Sequence, residues 1–438
     1  MMRALNCTIA HFFGSWQEIF AGVRDGRHPD FVIYPLPALL SAGTLMFLFQ
    51  LQARRQITYQ LRENGPSRSK FQAWFGIEMF PHGDTLNYAF KKISPAKVQE
   101  VVCAMVARLI RKKVLYPYRL YDNFLVAMDG TGVLTFHQRH CEHCLTKKLN
   151  NGETLYYHPV LEAKLVCANG FVFSLMTEFI ENASPQDSKQ DCELKAFYRL
   201  SQRLKARFPL LPICLLLDGL FAGGPTFQTI HDYNWRFLIV LKDKDLPQVH
   251  RSYELVLSQT PENRKQICLD KQQKIVQEYY WATQIDYRDS LERHHTLNVI
   301  TCKEADACTQ KTTTFKWLTN LIPTAQNVDT IANQGGHLRW KIENEGFNSQ
   351  KNGGFHLEHP YSQDENARKI FYFLLQIAHM LFQLIQKGSP FRKAFPKGVG
   401  SLKNIAFRLL EAWRNLRLTP QAFCSLYQGR YQIRFDSS

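Results

Sequence analysis

The sequence lacks internal repeats and low-complexity tracts, and its first residues lack the pattern of a secretory leader. The N-terminal apolar run is interrupted by Asn6, His11 and Ser15 and has no clean cleavage site, so it predicts no signal peptide. The eleven cysteines are an odd number and are scattered along the chain, which favours reduced thiols over a disulfide framework. We therefore expect a cytoplasmic protein.

Long apolar runs are also scarce. Only Phe31–Phe49 is uncharged and nearly long enough to span a bilayer. Pro35 and Pro37 would break the first turns of a spanning helix. A membrane helix remains the alternative, but the pattern favours a buried helix, and we expect no stable membrane association.

Acidic residues are outnumbered: 38 Asp and Glu face 54 Lys and Arg, which gives a formal charge of +16. No single basic tail accounts for this excess, so it indicates a large polyanionic partner. Nucleic acid is the first candidate and an anionic membrane surface the second. A hydrophobic content of 45% excludes a disordered chain, and 438 residues predict two or three domains.

The patterns divide the chain into four regions. Residues 1–120 are predicted to be helical and to bind DNA, although their basic residues are equally typical of a solvated helix face. Residues 121–243 and 317–387 alternate strands with helices and predict an α/β catalytic core. Residues 244–316 contain alternating aromatic runs typical of a β-rich insertion, and residues 388–438 are predicted to be helical.

Within the core, Phe124–Phe136 is a strand-like apolar run that Asp-Gly-Thr-Gly interrupts, and Asn169-Gly170 predicts a hairpin between two further strands. A helix over Asp191–Phe208 and two more buried strands follow. Three antiparallel strands, a helix and then strands alternating with helices indicate a sheet of the ribonuclease-H-like type. Asp191 and Glu193 fall in the first helical turn, and we interpret them as capping residues rather than metal ligands.

Two aspartates follow buried strands of this predicted sheet. Asp129 ends the first strand and Asp218 the fourth, and these strands are expected to be neighbours. Carboxylates at one sheet edge suit Mg²⁺ or Mn²⁺, and two such ions support in-line displacement at phosphorus. Aspartates after strands are also common turn residues.

A third acidic residue lies in LRWKIENEGFNSQK, residues 338–351. On a helix, Arg339 and Glu343 are four residues apart and share a face. Glu343 is therefore predicted to complete the metal site, with Arg339 and Lys351 contacting DNA phosphates. The alternative is an ordinary surface ion pair between Arg339 and Glu343.

Together, AMDGTG, LLLDGLFA, LTNL and RWKIENEGFNSQK resemble the DDE transposases of bacterial insertion sequences. The resemblance is to the grouping around insertion-sequence family four, and it spans about residues 80 to 385. It implies a ribonuclease-H-like core with a β insertion, and Asp129, Asp218 and Glu343 as catalytic residues that bind two Mg²⁺ or Mn²⁺ ions. The implied activity is DNA cleavage and strand transfer at terminal inverted repeats. The resemblance also implies a homodimer that binds two double-stranded DNA ends together and acts at the bacterial nucleoid.

The resemblance has gaps. The family's accessory tyrosine and lysine positions hold Gly336 and Gln350, with Lys351 one residue late. Relatives that form DNA hairpins stack a base on an aromatic residue of the insertion, and Trp281 is the candidate here, although strand aromatics are more often packing residues. The competing functions are a catalytically silent DNA-binding protein derived from a transposase and a membrane-associated basic protein.

Cysteine and histidine residues cluster in FHQRHCEHCL, residues 136–145. Cys141 and Cys144 have the spacing of a zinc knuckle, and His140 and His158 are predicted to complete a structural zinc site. The alternative is a pair of reduced cysteines in a turn, because no second pair at zinc-finger spacing follows.

Overall fold

The computed structural model describes residues 1–183, 189–270, 275–417, 419, 421–422, 425 and 432–435. The predicted α/β class is confirmed, since one ten-stranded mixed sheet is packed against helices. The N-terminal part is helical, as predicted. Its helices are α1 (Met2–Phe13), α2 (Trp16–Phe20), α3 (Leu36–Leu48), α4 (Arg55–Ile57), α5 (Gly65–Phe75), α6 (Gly83–Phe90) and α7 (Pro95–Arg111).

The sheet strands begin directly after this helical region. They are β1 (Phe124–Phe136), β2 (Leu145–Lys148), β3 (Thr154–Val166), β4 (Val172–Phe179), β5 (Ile213–Leu217), β6 (Arg236–Val240), β7 (Arg264–Asp270), β8 (Ile275–Arg288), β9 (His294–Asp306) and β10 (Lys311–Thr319). The predicted hairpin is confirmed, because Gly170 links β3 to β4 with a φ of +82°, a conformation that favours glycine.

Strand order places the first strand in the middle of the sheet. The order is β2-β3-β1-β5-β6-β10-β9-β8-β7, and β4 pairs with β3 beside β2. The pairs β4–β3 and β3–β1 are antiparallel, whereas β1–β5 and β5–β6 are parallel. The predicted insertion does contain strands, but β10 pairs with β6, so these strands continue the sheet rather than form a detached layer.

Helices connect and cover the strands. They are α8 (Glu193–Arg207), α9 (Gly224–Asp232), α10 (Pro247–Gln259), α11 (Val328–Asn333), α12 (Ser349–Asn352), α13 (Glu365–Lys387), α14 (Ser389–Ala394) and α15 (Leu402–Asn415). The N-terminal helices share one apolar cluster with the sheet and with α13, so the predicted boundary near residue 120 does not interrupt the core.

Two apolar helices lie inside the protein. The α3 helix begins after Pro35, and nearly all of its side chains are buried, so a core helix is confirmed for Leu36–Leu48, whereas Phe31 and Ile33 of the predicted Phe31–Phe49 segment precede it and are 82% and 79% exposed. In the described part of the chain, α13 alone is long and apolar enough to cross a membrane, and 89% of its apolar window is buried. Its faces pack on α1, α3, α7 and β4.

A polar network crosses the core between β3 and α13. Lys164 is fully buried and donates to Gln376 Oε1 at 2.8 Å, with Glu162 Oε2 at 3.3 Å. Glu162 lies opposite Asp129 in the strand ladder and accepts hydrogen bonds from Tyr372 and Ser174, each at 2.7 Å. These partners compensate the cost of burying both charges.

His379 extends this network and should make stability depend on pH. Burial, followed by the charge of Lys164, lowers the pKa of His379 from 6.5 to about 3. Below pH 6.5 the unfolded chain therefore binds a proton at this histidine, whereas the folded protein does not. The free energy of unfolding consequently falls as the pH falls from 6.5 towards 3. Acidification from pH 7.5 to 5.0 should lower the free energy of unfolding by about 2 kcal/mol through this residue.

Urea unfolding at the two pH values measures this contribution. His379→Gln keeps an acceptor for the side chains of Gln350 and Gln383, which donate to Nδ1 at 3.1 Å, but it cannot titrate. The variant should therefore lose about 2 kcal/mol less than the native protein on acidification. An equal loss in both proteins would contradict the prediction.

Candidate active site

Strand register brings two of the predicted catalytic residues to one edge of the sheet. Ala127 of β1 pairs with Leu216 of β5 in the parallel ladder. Asp129 and Asp218 each lie two residues further along, so they are level on adjacent strands. Asp218 also begins a short 3-10 turn, because its Oδ1 accepts a hydrogen bond from the Leu220 N–H at 2.8 Å.

The prediction that Asp129 ends its strand is wrong. Hydrogen bonding with β5 stops at Ala127, but β1 continues to Phe136 along β3. The Gly-Thr-Gly sequence after Asp129 stays extended because Gly130 leaves room for a side chain of α8, and the ladder is irregular after Gly132. Asp129 therefore lies where β1 leaves β5, with its backbone held by β3.

Arg339 joins the third acidic residue to the first. Its Nη1 is 2.9 Å from Glu343 Oε1 and 3.8 Å from Asp129 Oδ2, and its side chain is only 7% exposed. Arg339 belongs to a 3-10 segment, and Glu343 to the π-helical segment Ile342–Asn348 that follows it. Short π-helical segments are frequent at functional sites. Two carboxylates that are remote in sequence thus converge on one guanidinium nitrogen.

The pKa of Asp129 is shifted mainly by burial and, to a smaller degree, by nearby charges. Burial raises its pKa to about 7, Arg339 opposes this shift, and the nearby charges of Glu343 and Glu193 add to it. A divalent cation between these carboxylates would reverse the balance, because it favours their charged forms. Carboxylate oxygens are the donors that Mg²⁺ and Mn²⁺ prefer, so the chemistry of these donors suits such ions; among the described residues, however, no three of these carboxylates have oxygens within 4.8 Å of one another.

Glu193 is a fourth acidic residue at this edge, and the sequence did not identify it as one. It lies in the first turn of α8 as predicted, but its carboxylate packs against Gly130, where a Cβ would overlap it. Burial and the charge of Asp218 raise the pKa of Glu193. Asp191, in contrast, pairs with Arg199 at 2.6 Å and is structural.

Two further residues of this edge carried no clear sequence signal. Lys242 follows β6, and its Nζ is 3.1 Å from Asp218 Oδ2 while its side chain stays 56% exposed. Trp340 is 47% exposed, and the Arg339 guanidinium carbon lies 4.4 Å from its ring centroid. A cation and an exposed aromatic ring beside acidic residues are groups that can contact a phosphate and a base.

Several residues suggested by the resemblance lie elsewhere. Trp281 is 3% exposed within an apolar cluster, so the structure favours the packing alternative over base stacking. Gln350 is fully buried and donates to Gln376 at 2.8 Å, which prevents it from replacing the family's lysine. Lys351 pairs with Glu358 at 2.7 Å. Gly336 faces the indole of Trp317, which leaves no space for the family's tyrosine.

The cysteine and histidine cluster forms in part. Cys141, Cys144 and His158 place their ligand atoms within 4.8 Å of one another. His140 does not join them, because its ring stacks on Phe136 with centroids 4.5 Å apart. The predicted set of four ligands is therefore reduced to three.

Compared with known proteins, the chain matches no protein-family model and no curated protein. The site is therefore characterised by its own residues, which are the carboxylates at the sheet edge, a bridging arginine, and an exposed lysine and tryptophan beside them.

Proposed function

We propose that the chain is a DNA transposase that cleaves and joins phosphodiester bonds with divalent metal ions held by Asp129, Asp218 and Glu343. The observation that carries the proposal is the convergence of Asp129 and Glu343 on Arg339 Nη1, at 3.8 and 2.9 Å. An isolated surface ion pair would not involve an aspartate of the central strand or leave the arginine only 7% exposed.

The strand order supports this proposal. The order β4-β3-β1-β5-β6, antiparallel and then parallel, agrees with a ribonuclease-H-like core, with α8 and α9 as its connecting helices. In that interpretation, residues 121–243 and 317–387 form the catalytic core and β7–β10 belong to the insertion. The acidic residues then lie where the parallel strands end, a common place for ligand sites in α/β sheets.

Each residue of the edge has a distinct role in the proposed reaction. Two bound Mg²⁺ ions would activate the attacking oxygen and stabilise the leaving oxygen of an in-line displacement. The carboxylates of Asp129, Asp218 and Glu343 would hold these ions in place, and Arg339 positions the carboxylates of Asp129 and Glu343. Lys242 supplies positive charge to the DNA backbone, and Lys351, the other predicted phosphate contact, would reach the backbone only by leaving Glu358.

Double-stranded DNA is the proposed substrate. The chain has 54 basic and 38 acidic residues, and this excess of positive charge suits contacts to DNA phosphates. Such contacts supply much of the affinity in protein–DNA complexes. Trp340, rather than the buried Trp281, is the aromatic ring available to an unpaired base at the cut. The same proposal includes a homodimer that binds two transposon DNA ends and acts at the bacterial nucleoid.

Nicking of supercoiled DNA tests the proposal directly. The substrate is a plasmid that carries the DNA flanking the chain's own gene, and the matched control plasmid lacks those flanks. We expect nicks at the flanks with Mg²⁺ or Mn²⁺ and none with EDTA. Binding without nicking would instead identify a catalytically silent DNA-binding protein. Absence of both would overturn the proposal and this alternative together.

A further inference from the structure

A compact cluster of soft ligands lies away from the acidic edge, where β1 and β3 extend beyond Asp129. Cys141 and Cys144 belong to the loop between β1 and β2, and His158 belongs to β3 opposite Leu134. Cys144 and His158 are 0% and 4% exposed. The proposed reaction at the acidic edge uses none of these three residues.

The spacing of the three ligand atoms is that of a tetrahedral site. Cys141 Sγ and Cys144 Sγ are 3.6 Å apart, and His158 Nε2 lies 3.4 and 3.3 Å from them. A zinc ion about 2.3 Å from sulfur and about 2.0 Å from nitrogen separates its tetrahedral ligands by roughly 3.8 and 3.5 Å. A cation therefore fits between the three atoms with shifts of a few tenths of an ångström.

Neither a disulfide nor a plain hydrogen-bonded cluster accounts for this geometry as well. The sulfur–sulfur separation of 3.6 Å is far longer than a disulfide bond, and both cysteines are free. In a hydrogen-bonded cluster without a metal ion, His158 Nε2 would have two thiols as its partners, and thiols are weak hydrogen-bonding groups. Among the described residues, His158 Nδ1 is buried without a partner in either case, so Nε2 carries the polar interactions of the ring, and a cation there compensates its burial better than two thiols do.

We infer that Cys141, Cys144 and His158 bind one Zn²⁺ ion, with water in the fourth position. Two thiolates and an imidazole select zinc over the hard cations that suit the acidic edge. His140 is not a ligand in this assignment.

The local structure indicates what the ion does. The Asn182 side chain donates to the Cys144 carbonyl at 3.1 Å, and His143 Nδ1 is 2.8 Å from the Asn182 carbonyl. The loop is thereby tied to the segment after β4, and zinc adds a bond from the loop to β3. The ion is structural: it fixes the loop on the far end of the β1–β3 ribbon.

Metal analysis of the full chain, expressed without an affinity tag in zinc-supplemented medium, tests this inference. We expect one zinc ion per chain in the native protein and less than about a tenth as much in Cys144→Ser. Two matched variants should keep the ion: His140→Ala, which removes the neighbouring histidine, and Cys192→Ser, which removes an exposed cysteine outside the cluster. Loss of zinc in either control would overturn the three-ligand assignment.

Cobalt substitution keeps the test decisive if Cys144→Ser does not fold. Co²⁺ added to chelator-treated native protein should give the strong visible bands of a tetrahedral ion and a thiolate charge-transfer band. Cys141→Ser, at a partly exposed position, should weaken the charge-transfer band, and Cys141→His should retain the tetrahedral bands. Native protein that holds no zinc and gives no such spectrum would overturn the inference, whatever the outcome of the nicking assay.

Discussion

Asp129→Asn should slow Mg²⁺-dependent nicking by at least about a thousandfold, equivalent to about 4 kcal/mol of transition-state stabilisation. The amide has nearly the shape of the carboxylate, but it lacks the charge that holds a divalent ion. Asp129 is backed by β3 and lies beside Arg339, so the fold should tolerate the substitution. DNA binding should stay within a few-fold of the native value. Single-turnover nicking and a binding titration measure the two effects separately.

Two variants distinguish a metal ligand from a residue that only shapes the site. Asp129→Cys should be inactive with Mg²⁺ but recover part of its rate with Mn²⁺, which accepts sulfur more readily. Glu345→Gln removes a carboxylate two residues from Glu343 that pairs with Lys341 at 2.9 Å, and it should remain active. Full activity of Asp129→Asn would rule out the assignment of the metal site.

Arg339→Met should lower the free energy of unfolding in EDTA by about 1.5 kcal/mol, which is less than the cost of breaking a fully buried ion pair because the Glu343 side chain is 38% exposed. The methionine fills most of the volume, so the loss is mainly electrostatic. Without the guanidinium, Glu343 loses its ion-pair partner, and the pKa of Asp129, which Arg339 holds down, rises so that its carboxyl group takes up a proton near neutral pH. Chemical unfolding in EDTA measures the change.

A divalent cation should restore much of that loss. Ca²⁺ can occupy oxygen-rich sites, and by linkage it stabilises the folded state to which it binds. Ca²⁺ should therefore raise the stability of Arg339→Met more than that of the native protein, in which the arginine competes with the ion. Lys341→Met is the control, because it removes a neighbouring pair and should change stability by less than about 0.5 kcal/mol. Equal effects of Ca²⁺ on Arg339→Met and native protein would contradict the shared site.

Local signals in the sequence predicted local structure well. The helix expected over Asp191–Phe208 is α8, Glu193–Arg207, and the region 388–438, which was expected to be helical, contains α14 and α15. Apolar periodicity and terminal residues suffice for such elements, because helix hydrogen bonds are local. The relation of Arg339 to Glu343 was predictable for the same reason, since four residues make about one helical turn.

Contacts between remote segments were not predictable. The Asp-Gly-Thr-Gly sequence suggested the end of a strand, but β3 keeps β1 extended and Glu193 fills the space beside Gly130. The role of Glu193 depends on where α8 begins relative to β1, which its own sequence does not encode. Likewise, Trp281 lies on β8 in an apolar cluster that includes side chains of α11, and alternation alone cannot show which face of the strand is covered.

The ladder between β6 and β10 determines how the outer strands can move. Trp317, Leu318 and Thr319 pair with the residues of β6 that lead to Lys242, beside Asp218. Any swing of the outer strands relative to the acidic edge would break these hydrogen bonds. In the proposed complex with DNA, a segment in contact with the outer strands would therefore lie at a fixed distance from the acidic edge.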